Sequence, residues 1–224
     1  MRSVITTISL TFITVFFSEG IFAQTLEGEL LIRPALTSLR GNDMVKENFD
    51  PAINLSFGAG LNFLMDNNSS INIALLYEKK GARDEHTVVL RDQTNQPIGE
   101  AKGKLESSYQ YLSVPVQYAY RFGEKIRFEA GIGIYGGFLL KAETKSKVMQ
   151  IREEYDVTDL NKSFDFGASL SVSAFVPLNE SLKLRIGLND NLGLINTSDV
   201  DVAGDGSIKH NSLALVFGLN LKLR

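Results

Sequence analysis

His210-Asn211-Ser212 sets an imidazole and a hydroxyl two residues apart, and residues two apart on an extended chain share a face. That is the arrangement of a base beside a nucleophile, which cleaves esters when a carboxylate orients the histidine. No Glu follows at a suitable place; Lys222 and Arg224 stand there instead, so a loop-to-strand boundary is the plainer reading. Asp199, Asp201, Asp205 and Gly204 have spacing that can hold calcium, but an EF-hand loop ends on a carboxylate and here His210 takes that place. A solvated acidic loop is the plainer reading again. The other histidine, His86, lies among Arg83, Asp84 and Glu85 and reads as loop surface. Cysteine is absent, which excludes disulfides, thiolate metal sites, a cysteine nucleophile and an acylated N-terminal cysteine. No cofactor is implied.

The clearest constellation is a set of charges: Glu29, Arg33, Glu78, Lys80, Arg121, Arg127, Glu129, Lys183 and Arg185. Each sits on the polar side of an alternating stretch, with Glu27 beside Glu29 on the first. If those sides line one narrow lumen, the charges must pair, because an unpaired buried charge is costly. The functional reading is a selective pore; the structural one is a salt-bridged plug, and a lumen this narrow leaves room for the second.

The elements that hold these charges alternate with a period of two. Leu213, Leu215, Phe217, Leu219, Leu221 and Leu223 face one way, and Ser212, Ala214, Val216, Gly218, Asn220 and Lys222 the other. The same pattern runs through Ile53–Phe63, Ile71–Glu78, Leu112–Phe122, Ile126–Tyr135, Phe164–Val176 and Leu182–Asn189, with a weaker first strand over Leu26–Leu36. Many of these reach the roughly 9–11 residues a tilted strand needs to cross a bilayer. Pro115 falls inside one and predicts a bulge. Tight connections at Asp66-Asn67-Asn68, Gly123-Glu124-Lys125 and Asn179-Glu180-Ser181 alternate with long polar ones over residues 37–50, 84–107, 142–163 and 195–210. Short turns on one side and long loops on the other are the layout of an outer-membrane barrel. The long loops over 84–107 and 142–163 are candidate surfaces for a protein partner or a polysaccharide at the cell surface.

The first segment predicts export. Arg2 precedes an apolar run from Val4 to Phe17, Ser18-Glu19-Gly20 breaks it, and Ile21-Phe22-Ala23 offers a cleavage site. Residues 1–23 read as a signal peptide and 24–224 as one domain outside the cytoplasm. A net charge of −3 gives no basic excess for neutralising phosphates, so nucleic acid is excluded as a partner.

Alternation alone leaves open which face points outward. A soluble, lipocalin-like binder would turn the apolar face inward around an apolar ligand. Here the second face is rich in Gly, Ser, Ala and Asn, which suits a narrow lumen. Aromatics also stand near strand ends: Phe63, Tyr120, Phe122 and Phe128 by the turns, Tyr77, Phe138, Phe164 and Phe166 by the loops. Such belts mark the two bilayer interfaces. The fold class expected is all-β: an eight-stranded antiparallel up-and-down transmembrane β-barrel in contact with outer-membrane lipid.

Two stretches carry a family resemblance. One runs from Tyr111-Leu-Ser-Val-Pro-Val-Gln-Tyr-Ala-Tyr-Arg-Phe122 through Phe128 to Leu140; the other from Phe164-Asp-Phe-Gly167 to Asn196-Thr197, then Asn211 and the final strand. They resemble the outer-membrane β-barrel family of Bacteroidetes that includes PorT-like proteins. Gly193-Leu-Ile-Asn-Thr197 is a shifted form of that family's pattern, and Leu223-Arg224 replaces the usual closing aromatic. The resemblance implies a non-enzymatic barrel of a Gram-negative outer membrane, accessory to protein secretion. From the residues themselves a small passive pore stays open beside it.

Overall fold

The computed structural model describes residues 25–202, 204 and 206–223. Residues 1–23, read above as a signal peptide, lie outside them. Strands run β1 (Thr25–Arg40), β2 (Asp50–Leu64), β3 (Ser69–Arg91), β4 (Pro97–Phe122), β5 (Arg127–Val148), β6 (Ile151–Asp156), β7 (Phe164–Pro177), β8 (Leu182–Gly193) and β9 (Lys209–Lys222), with one short helix, α1 (Asp43–Asn48), between β1 and β2. Every pairing is antiparallel. Eight strands close a ring in chain order, β9 returning to β1, while β6 stands outside it on β5. A closed ring leaves no strand edge unpaired within the bilayer, where water cannot satisfy one.

The apolar face points outward. On β9, Leu213, Leu215, Phe217 and Leu219 are exposed while His210, Ser212, Ala214, Val216 and Asn220 are buried. The alternative of a soluble binder with an apolar interior is thereby overturned: Asn, Ser and charged side chains fill the lumen instead. Small residues permit the tight coiling. A Cβ on Gly58 would stand 2.1 Å from the Leu75 carbonyl oxygen, and one on Gly133 would stand 2.0 Å from that of Val116.

Two of the three tight turns are held by side chains and the third by a glycine. The Asp66 carboxylate accepts from the amides of Asn68 and Ser69 and from the Ser69 hydroxyl at 2.6–2.7 Å. Those donors hold its carboxyl below the ordinary value. Asn179 accepts from the amides of Ser181 and Leu182, and Gly123 supplies the left-handed backbone at φ +93°.

Two expectations change. The segments 84–107 and 142–163 are largely strand, not loop. β3 and β4 run out to a turn at residues 92–96, with Asn95 at φ 64°, and β5 folds back as β6. Pro115 makes no bulge. It keeps register with Tyr135 on β5, and the β3–β4 ladder lapses beside it with the same offset on either side. The missing donor falls where no bond is made.

Candidate functional site

The lumen is layered. Nearest the tight turns, Arg121 Nε lies 2.7 Å from Glu129 Oε2 and its Nη1 3.3 Å from Glu27 Oε2. Lys183 also bonds Glu27. Arg185 Nη1 lies 3.1 Å from Glu29 Oε2 and Nη2 3.5 Å from Glu129 Oε1. Both guanidinium groups stand over the Phe175 ring, at 4.6 and 5.5 Å. Asn220 donates to Glu29 at 2.9 Å and Asn72 to Glu129 at 3.0 Å. Arg127 sits at the rim of this end and donates to the Asn67 carbonyl. It makes no ion pair among the described residues. A cavity of about 140 Å³ opens here, beside Arg121, Arg127 and Lys183.

Above this network Leu31, Leu76 and Val216 pack against one another with Ala74. The space left at that level is about 40 Å³, bordered by Glu29, Arg33, Asn72 and Arg185, room for little more than a water molecule. Arg33 donates to the Asn189 amide oxygen and reaches no carboxylate within 4.0 Å.

A second ionic group lies beyond the waist. Lys80 Nζ is 2.9 Å from Asp165 Oδ2 and 3.6 Å from Glu78 Oε2. Tyr135 donates to the same Asp165 oxygen at 3.1 Å, and the ammonium stands 4.3 Å from the Tyr135 ring centroid and 5.2 Å from that of Tyr111. The Tyr111 hydroxyl and His210 Nε2 lie 3.2 Å apart. At the outer end Leu39, Tyr109, Tyr111 and Ala142 meet Val45 of α1, with Phe49, Val157, Val202 and Ile208 against them. Asn42 caps that helix, its side chain accepting from the Val45 amide.

Of the nine charges singled out from sequence, all but Arg33 and Arg127 therefore join ion pairs. Arg121, Glu129, Arg185, Glu29 and Lys183 form one group and Glu78 and Lys80 another. Glu27 and Asp165 complete the two groups and were not in that set. His210 and Ser212 share a face as expected, but that face is the lumen and both are fully buried. A lipid ester has no path to Ser212. Asp199 and Asp201 gather no metal site, no cluster of three ligating side chains being present among the described residues; Asp205 lies outside them.

Apolar outside, polar inside and closed on itself, this is an integral β-barrel of the bacterial outer membrane. Residues 22–197 match the family model described as outer membrane protein beta-barrel domain, and the chain belongs to that family. No curated protein matches. Among solved structures, Neisserial surface protein A is 11% identical with a TM-score of 0.47, covering 88% of this chain and 97% of that one. Ail, the attachment invasion locus protein of Yersinia pestis, is 10% identical with a TM-score of 0.42, covering 88% and 100%. The outer membrane protease OmpT from Escherichia coli is 9% identical with a TM-score of 0.44, covering 90% and 97%. Identities this low say nothing about activity.

Proposed function

We propose that this protein is a sealed, non-enzymatic barrel with a structural or interaction role played through the strands that leave its outer end. The likeness of its strand motifs to PorT-like proteins of Bacteroidetes supports a place as an accessory to protein secretion. The observation that carries the reading is the pairing of a blocked lumen with a built outer surface. The Leu31–Leu76–Val216 waist and the apolar cap around Val45 obstruct a pore. Beyond the wall, β3, β4, β5 and β6 form a continuous sheet, far more than is needed to join spanning strands.

The test shortens the β3–β4 hairpin between Glu85 and Lys104 and the β5–β6 hairpin between Thr144 and Tyr155. The trimmed barrel is expected to reach the outer membrane and keep its heat-dependent gel shift, while secreted proteins accumulate in the periplasm. Normal secretion by that strain overturns the secretion role. Planar-bilayer recordings of the intact protein are expected to show no conductance steps; steps of fixed size would restore the passive pore. Removal of residues 1–23 predicts a mature N-terminus at Gln24, which intact-mass measurement reads.

A further inference from the structure

The sheet formed beyond the wall has two chemically different faces. Register sets Val88, Leu90, Leu105, Val148, Ile151 and Tyr155 on the side continuous with the lumen. The opposite side continues the lipid-facing surface of the barrel. There the first polar row above the apolar belt is Lys79, Gln110 and Lys141, in register across β3, β4 and β5.

Higher on that side stands a row of cations. Lys104 lies directly opposite Lys147, and Lys147 directly opposite Arg152. Lys102 follows two residues along β4 on the same face. Like charges directly opposed across strands destabilise a sheet. Lower on the sheet cations are neutralised: Lys141 bonds Glu143, and Lys145 lies 3.4 Å from Glu154 and 4.0 Å from Glu143. In the upper row Lys104 alone has a carboxylate, Glu85 at 3.8 Å, and Lys102, Lys147 and Arg152 have none within reach among the described residues. The row therefore lacks anions that the protein itself does not supply.

Height selects their source. Lys79 and Glu85, the β3 members of the two rows, are six residues apart on one strand. At about 3.4 Å per residue that is about 20 Å along the strand, or about 15 Å of height at a tilt near 40°. The polar headgroup layer of a simple bilayer is only about 5–8 Å deep on each side. Glycerophospholipid phosphates lie below the row, and phosphates carried on sugars that project from the leaflet reach it. We propose that Lys102, Lys104, Lys147 and Arg152 form a binding site for phosphate groups on the saccharide portion of an outer-leaflet glycolipid. The site uses the outer sheet of the interaction barrel described above, but its lipid side, and so rests on that reading only for the sheet's exposure at the cell surface.

The test reconstitutes the full-length protein in phosphatidylcholine vesicles containing either a phosphorylated outer-leaflet glycolipid or the same glycolipid after phosphatase treatment. Glycolipid retained after detergent extraction is measured by mass. Wild-type protein is expected to retain the phosphorylated form at least tenfold better, with retention falling as salt rises. Lys147→Glu/Arg152→Glu should lose that preference while keeping the heat-dependent gel shift that reports a closed barrel. Lys147→Arg should retain it. Equal retention of both glycolipid forms overturns the proposal, as does wild-type retention by the double variant. Full displacement by millimolar inorganic phosphate also overturns it, by making the row a free-anion site. The trimmed barrel also lacks Lys102, Lys147 and Arg152, whereas glycolipid retention is read on the full-length protein, so normal secretion by the trimmed strain leaves the retention result standing and equal retention leaves the secretion result standing.

Discussion

Replacing Lys80 with Met keeps the length of the side chain and removes its ammonium from between Glu78 and Asp165. Two carboxylates are then left buried together, with Lys80 only 1% exposed in the native protein. Breaking a buried ion pair by deleting one partner costs about 3–5 kcal/mol. The 2.9 Å contact to Asp165, the 3.6 Å contact to Glu78 and the overlying Tyr135 ring put this site at the upper end of that range. At 25 °C that is several thousandfold in the folding equilibrium, at about 1.4 kcal/mol per factor of ten. The partner variant Asp165→Asn should cost less, because the ammonium keeps Glu78. The double variant Lys80→Met/Asp165→Asn should be more stable than Lys80→Met alone, with a coupling of about 2 kcal/mol. Urea unfolding in phosphatidylcholine vesicles, followed by the folded band on unboiled gels, gives all four corners of the cycle. A loss below about 1 kcal/mol in Lys80→Met, or additivity within about 0.5 kcal/mol, would refute the claim that these groups act as one buried unit.

Two further outcomes follow from other parts of the barrel. Leu215→Arg puts a charge on the lipid face near the middle of β9 and should cost about 2–4 kcal/mol in vesicles, against little change for Ser171→Ala on the lumen side; equal costs would mean the faces are misassigned. At the tight-turn end, the Asp66 carboxyl is held below its ordinary value, so its contribution is fully present above that value and is lost as pH falls through the lowered one. Asp66→Ala should therefore be less stable than wild type at pH 7, with the gap in urea midpoint closing below about pH 4; a gap independent of pH would remove the carboxylate from the account.

Strand identity was legible because a bilayer demands strict alternation, as Leu213–Leu223 display. The same rule hid the outer sheet. Above the lipid no face need be apolar, so Glu85–Arg91 and Lys102–Glu106 carry charges at strand positions and read as loop. The clue available was the turn chemistry at Asp92 and Asn95, where the Asp92 carboxylate accepts from the amides of Thr94 and Gln96. The lumen charges were readable as inward-facing, but their partners were not. Contacts such as Lys183 to Glu27 join residues 156 apart in sequence, and which residues meet across a barrel depends on the stagger of all eight strands. Asp165 escaped notice as a partner for Lys80 for the same reason, and Arg33 finds an amide where a carboxylate was expected.

The seam between β1 and β9 has a consequence for biogenesis. Its register, from Glu27 opposite Lys222 to Arg40 opposite Lys209, unites the two ends of the described chain, whereas the other walls of the ring join strands that follow one another in the chain, with only β6 intervening between β5 and β7. Hairpins can form as the polypeptide arrives, but closure needs the 14 residues of β9, the last of the ring strands in sequence order. A product truncated before Lys209 would keep raw edges on β1 and β8 and could not shed its need for a holding partner. Arrival of β9 and loss of the last raw edges thus become a single checkpoint, set by strand order.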